Sequence, residues 1–124
     1  MKRRQFAARA AAALAATAAA PLVFAQQDRT VRILVGFPPG GSVDVVARVL
    51  AEKMRVSLGQ NVIIDNKPGA AGRLALGELR RAAPDGHTLA FSPSGAMVIH
   101  PWLYPNLGYD PAKDFTPIAL GSTF

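Results

Sequence analysis

The fold is decided by TVRILVGFPPGGSVDVVARVL, residues 30–50. Its first part, TVRILVGF, is a dense apolar run that is typical of a strand buried on both faces of a sheet. The PPGG at 38–41 ends this run, because both residue types favour turns. After it, apolar residues recur at the spacing of a helix. We therefore predict a strand over 30–37 and a helix over 42–58, with Ser42 as its N-cap.

The segments that follow alternate between strand-like and helix-like patterns, which is typical of a parallel α/β sheet. In such sheets ligands bind beyond the carboxyl ends of the strands. The further predicted elements are strands over 61–65 and 88–92, a helix over 73–82, a helical turn over 94–99 and a fourth strand starting around Ile118–Leu120. The loops at the binding edge are 37–42, 65–72 and 92–95, all rich in Gly, Pro or Ser.

The first 25 residues have the organisation of a secretory signal peptide. A short basic region precedes an apolar, alanine-rich stretch over 10–24, and Val23-Phe24-Ala25 matches a cleavage site. This stretch is too short and too rich in alanine for a membrane-spanning helix. The pair Arg3-Arg4 is similar to a twin-arginine signal, so export in either the folded or the unfolded state stays open. We expect the mature chain to begin near Gln26 and to act outside the cytoplasm.

Charge and composition exclude several classes of function. The leader carries four of the 14 basic residues and none of the eight acids, so the net charge of +6 falls to +2 without it. No long basic run remains, which argues against a nucleic-acid partner. The chain has no cysteine, which excludes disulfides, cysteine zinc sites and a thiol nucleophile. The two histidines match no common metal spacing, so no metal site or cofactor is expected.

The loop FPPGGSVD, residues 37–44, carries the strongest chemical signal. Its two glycines let the backbone approach a ligand, and free N–H groups at the start of the helix suit a carboxylate or a phosphate. The alternative is a plain strand-to-helix turn with Ser42 as its cap. Asp44 has several open roles: it fixes the loop by accepting N–H groups, orients waters, receives an amine or hydroxyl of a ligand, or only stabilises the helix dipole.

Four segments, together with the leader, resemble the Bug family of periplasmic solute-binding receptors of tripartite tricarboxylate transporters. They are FPPGGSVD (37–44), DNKPGAAG (65–72), APDGHTL (83–89) and HPWLYPNLGYDPAKDF (100–115). The resemblance implies a type II periplasmic binding protein fold, in which two α/β domains close on a small carboxylate ligand. It also implies the membrane subunits of the transporter as partners, and no enzyme activity. The ligand contacts it implies are Phe37, Pro39, Gly40, Gly41, Ser42, Asp44, Gly69, Ala70, Gly72, Ser92 and Ser94.

The chain departs from the family pattern in sequence and in length. Family members often carry Gly and Asn where this chain has Ala71 and Arg73, and Arg73 either adds positive charge near the cleft or faces solvent. A two-domain receptor needs roughly twice this length. We therefore expect residues 26–124 to form most of the first domain of a truncated binding protein. The alternatives are an α/β enzyme domain that acts on small anionic substrates and a remnant without function.

Overall fold

The computed structural model describes residues 30–122. The predicted signal peptide, residues 1–25, lies outside the described residues. Within 30–122, no helix combines the length and the apolar character that crossing a bilayer requires.

Three parallel strands form the sheet: β1 (Val31–Val35), β2 (Val62–Asn66) and β3 (Thr88–Phe91). β1 lies in the middle and pairs with β2 on one side and with β3 on the other. The register places the last residues of the three strands opposite one another, so their carboxyl ends are level. The dense apolar sequence of β1 suits this central position, where neighbours cover it on all sides. The prediction of a parallel α/β sheet is confirmed.

Helix α1 (Ser42–Leu58) has the predicted bounds, and Gly59 ends it in the left-handed conformation, with φ 62°. The prediction of Ser42 as the N-cap is wrong. Gly41 is the N-cap: its backbone is extended, and its carbonyl accepts the N–H of Val45 at 3.0 Å. Ser42 already has a helical position, and no side chain caps the helix. A residue inside the first turn cannot take the cap geometry, which needs an extended backbone.

The two faces of the sheet are covered by different helices. Alternate side chains of β1 point to opposite faces. On one face, its valines and isoleucine pack against Ala47 and Ala51 of α1, whose small side chains let the helix approach closely. On the other face, Arg32 donates to Glu78 of helix α2 (Arg73–Arg81) at 2.6 Å. The sheet is therefore sandwiched, and each helix begins just after a strand ends.

The segment after β3 contains two short helices, α3 (Gly95–Val98) and α4 (His100–Leu103). A long irregular loop follows, and the buried Tyr109 fixes it by donating its hydroxyl to the carbonyl of Ala96 at 2.6 Å. Around this bond, Leu76, Ala96 and Tyr109 form a second small core.

The prediction of a fourth strand around Ile118–Leu120 is wrong. No strand forms in the described part of this segment, residues 116–122. A strand needs a neighbouring backbone with which to exchange hydrogen bonds, and the sheet has three strands within 30–122. Ile118 is 76% exposed and Leu120 is 75% exposed, so neither side chain packs on the core.

Candidate functional site

The loops that follow β1 and β2 touch at the level edge of the sheet. A Cβ atom built on Gly36 would overlap the Cα of Gly72, so the two backbones are in direct contact. The ring of Phe37 lies 3.4 Å from the place where a Cβ on Gly72 would be. Glycine at both positions therefore leaves the room in which two loops approach each other.

A buried carboxylate holds the first loop. Asp44 is 1% exposed, and three donors reach its two oxygens. Oδ2 accepts the N–H of Gly40 at 2.9 Å and Nε of Arg48 at 2.8 Å, while Oδ1 accepts Nδ2 of Asn66 at 2.8 Å. The same Asn66 amide nitrogen donates to the carbonyl of Phe37 at 3.1 Å. The loop is therefore tied to both α1 and the end of β2.

These donors favour the charged form of Asp44. The hydrogen bond from Arg48 contributes most, followed by those from Gly40 and Asn66, and together they hold the pKa of Asp44 well below its usual range. Burial alone would raise this pKa, because a low dielectric disfavours charge. In turn, the carboxylate raises the pKa of Arg48. Of the open roles for Asp44, fixing the loop matches these contacts, and direct contact with a ligand stays a prediction.

The start of α1 carries the free donors of this loop. Val45 is the first residue whose N–H bonds back, so the N–H groups of Ser42 and Val43 have no partner among residues 30–122. Gly40, Gly41 and Ser42 are exposed. Amides at the N-terminus of a 17-residue helix carry partial positive charge. This surface can therefore hold a small anion.

The second loop has an unusual backbone. Gly69, Ala70, Ala71 and Gly72 all have positive φ, at 137°, 49°, 54° and 84°. For alanine this left-handed conformation costs about 1 kcal/mol or more per residue. Such strain persists only where the surrounding structure imposes it, and it is concentrated at binding sites. Gly69, Ala70 and Ala71 are exposed, whereas Gly72 is buried against the first loop.

Arg73 follows this turn and reaches back over it. Its Nε donates to the carbonyl of Ala70 at 2.8 Å, and its Cζ lies 3.8 Å from the centre of the Tyr104 ring. Its charge is also felt at the buried Tyr109: burial raises the pKa of that hydroxyl, and Arg73 opposes the rise. Arg73 therefore links the second loop to the segment after β3.

The third loop reaches the same edge through the register of β3. Ser92 is half-buried, and Ser94 is exposed at the start of α3. The carbonyl of Ser94 accepts the N–H groups of Met97 and Val98, at 2.9 and 3.0 Å, which shapes the turn. The predicted contacts in this loop stay predictions.

Sequence reasoning missed two residues of this edge, Arg48 and Asn66, and it left open whether Arg73 adds charge near the cleft or faces solvent. The spacing of Asp44 and Arg48, four residues apart on a helix, was a visible signal for an ion pair. The bond between Asn66 and Asp44 spans 22 positions and had no local signal. Within 30–122, no group of three or more His, Cys, Asp or Glu side chains could hold a metal ion.

A family comparison covers more than half of the chain. Residues 46–123 match the model of the tripartite tricarboxylate transporter family receptor. The chain belongs to this family. The Bug resemblance predicted from the loop motifs is thereby confirmed. The curated relatives of this receptor family are 37% to 43% identical to the chain, which spans 26% to 38% of their length.

Solved structures of the family agree with the described fold. The periplasmic binding protein BugD has a TM-score of 0.68 and is 43% identical, covering 72% of this chain and 29% of its own. Rpa4515 from R. palustris, solved with adipate, has a TM-score of 0.67 and is 35% identical, covering 71% and 29%. MatC from Rhodopseudomonas palustris, solved with bound malate, has a TM-score of 0.62 and is 42% identical, covering 73% and 31%. The predicted periplasmic binding protein fold is confirmed.

Proposed function

We propose that the protein is a periplasmic receptor, without catalytic activity, that captures a small carboxylate for a tripartite tricarboxylate transporter. One observation carries the proposal: the amides of Ser42 and Val43 have no partner among residues 30–122, and they follow a loop whose backbone touches the left-handed turn after β2. Family membership supports this assignment. The malate and adipate held by two neighbours of the same fold favour a carboxylate as the ligand.

In this proposal the exposed backbone of the two loops contacts one carboxylate group. The amides of Ser42 and Val43 donate to its oxygens, and the exposed turn over 69–71 lies beside it. Charged oxygens gain most from such donors, because hydrogen bonds to charged groups are about twice as strong as neutral ones. Asp44 acts behind the loop by holding Gly40, and Phe37 separates the site from the core. Ser92 and Ser94 add hydroxyl donors from the third loop.

We further propose that residues 26–124 form most of the first of two domains and that residues 1–25 direct export. A two-domain receptor closes on its ligand only if the ligand contacts the closed state better than the open one. The residues described here supply one wall of such a cleft. The membrane subunits of the transporter are the proposed partners of the closed receptor.

Replacing Gly41 by valine tests the site. Gly41 has an ordinary φ of −73°, and a Cβ there meets only the carbonyl of Pro38 at 3.5 Å, so the protein itself tolerates a side chain. The poorer N-cap costs about 1 kcal/mol of stability. The bulky side chain should nevertheless abolish binding by blocking the approach to the amides. Calorimetric titration of small carboxylates into the protein expressed from its complete reading frame measures this effect.

Arg81→Ala is the control, because Arg81 is exposed at the far end of α2. It should leave both affinity and stability nearly unchanged. Equal affinity of both variants for the best acid would refute the site assignment. Turnover of the acid during the titration would instead favour the alternative of an α/β enzyme domain.

A further inference from the structure

Arg73 carries a positive charge that nothing in the described structure neutralises. Among residues 30–122, Arg32, Arg48, Arg55 and Arg80 each pair with a carboxylate, whereas Arg73 and Arg81 have none. Arg81 is at the C-terminus of α2, where the helix dipole favours a cation. Arg73 is at the N-terminus of the same helix, where the dipole disfavours it. Helix stability therefore does not account for an arginine at position 73.

The guanidinium of Arg73 is nonetheless held in place. Its Nε is fixed on the carbonyl of Ala70, and its central carbon lies over the ring of Tyr104, which attracts cations. These two contacts leave both terminal Nη groups without a hydrogen-bond partner in 30–122. Two such groups side by side match the two oxygens of a carboxylate, and a side chain fixed in advance loses little entropy when it binds.

Arg73 also borders the proposed site. It directly follows Gly72, which packs against Gly36 and the ring of Phe37 in the loop that leads to α1. The edge therefore carries two separate anion-binding elements: the amides at the start of α1 and the guanidinium of Arg73. A ligand with two carboxylates offers one to each of them.

We propose that Arg73 is a specificity-determining residue that binds a second carboxylate of the ligand, so that the receptor selects dicarboxylates over monocarboxylates. This inference rests on the proposed function, because it assigns the first carboxylate to the amides of α1. Tyr104 acts as the positioning residue that holds the guanidinium. The selected ligands have a chain long enough to reach from the first loop to Arg73.

The test compares each diacid with its own monomethyl ester, which has the same chain but one charge fewer. Succinate, glutarate, adipate and their monoesters are titrated by calorimetry into the protein expressed from its complete reading frame. For the best diacid, Arg73→Gln should lower affinity tenfold or more, while the affinity for its monoester changes less than threefold. Arg73→Lys keeps the charge but loses the planar fork of the guanidinium. Its affinity for the diacid should lie between that of the unaltered protein and that of Arg73→Gln. Arg81→Gln is the matched control and should change neither affinity.

Each other outcome overturns the inference. If Arg73→Gln weakens the binding of the diacid and of the monoester equally and also lowers the Tm, Arg73 only has a structural role, in which it holds Tyr104 against the turn. If the unaltered protein binds both ligands equally well, no second carboxylate is recognised. In both cases the proposed function stands as long as Gly41→Val abolishes binding. If no acid binds the unaltered protein at all, the proposed function fails together with this inference.

Discussion

The two glycine-rich loops at the edge of the sheet reach a similar result by different means. Side chains hold the loop after β1: the buried Asp44 binds Gly40, and Asn66 binds the carbonyl of Phe37. Backbone conformation shapes the loop after β2, with four successive residues at positive φ. A buried charge thus fixes the geometry of the first loop, whereas the second loop contains conformational strain.

This difference determines what each loop presents at the surface. In the first loop the buried charge of Asp44 is paired with Arg48, so the groups without a partner among the described residues are the uncharged amides at the start of α1. In the second loop no carboxylate among the described residues pairs with Arg73, so its cation stays unneutralised there. The contact between Gly36 and Gly72 joins the two loops. Substitutions at the contact between the loops, at the buried charge and in the strained turn should therefore change the stability of the protein in different ways.

Gly36→Ala should have the largest effect on stability, because it disrupts the contact between the two loops. The added methyl group would overlap the backbone of Gly72, which cannot rotate away as a side chain could. Overpacking of this kind costs 1 to 3 kcal/mol and occasionally more, and we expect about 3 kcal/mol here. Urea unfolding of the protein expressed from its complete reading frame measures the loss.

The same change at Gly77 is the matched control. Gly77 lies inside α2, and a Cβ there meets only Nη1 of Arg81 at 3.9 Å. Alanine is the better helix former by about 1 kcal/mol, so Gly77→Ala should stabilise the protein. A loss at Gly77 as large as that at Gly36 would mean that the contact between the loops is not the cause.

Asp44→Asn should have the second largest effect, and it should depend on pH. The folded protein lowers the pKa of Asp44 below its ordinary value of 3.8, so the unfolded chain takes up the proton first on acidification. The stabilisation is therefore fully present well above pH 3.8 and is lost as the pH falls through the folded pKa. The Tm difference between Asp44→Asn and the unaltered protein should be constant from pH 7 to 5 and shrink below pH 4.

Glu52→Gln provides the comparison for an exposed pair. Glu52 accepts Nη1 of Arg55 three residues along the same helix, and its side chain is 63% exposed. Exposed pairs contribute about 1 kcal/mol or less, so this change should be close to neutral at pH 7. If Asp44→Asn were equally neutral, the buried network would not be what holds the first loop.

Local patterns predicted the frame of this molecule well. The bounds of α1 follow from apolar spacing and Gly59, and the central β1 follows from an apolar run that needs cover on both faces. The cap at Gly41 was missed, because a serine next to a glycine carries the stronger local signal. The fourth strand was predicted from apolar content alone, but pairing decides whether a strand forms.

The details of the candidate site depend on contacts that local patterns do not contain. Asn66 meets Asp44 only because β2 ends level with β1, and Arg73 meets Tyr104 across 31 positions of the chain. The left-handed alanines were equally hidden, since alanine rarely adopts positive φ. The sequence therefore predicted which loops lie at the carboxyl edge of the sheet, while the contacts of its charged groups and the backbone strain depend on tertiary structure.

Ala71→Gly should have the smallest effect, and its sign is informative. At φ 54°, glycine relieves about 1 kcal/mol of strain, but it also gives the unfolded chain about as much additional freedom. The two terms nearly cancel, so the free energy of unfolding should change by less than about 1 kcal/mol. Ala83 is exposed, lies outside helices and strands and has no positive φ. Ala83→Gly therefore only gives the unfolded chain additional freedom, and it should destabilise the protein by about 0.5 to 1 kcal/mol. The difference between the two variants in urea unfolding measures the strain stored at residue 71. If both lose the same stability, the turn is unstrained, and the contrast between the two loops no longer holds.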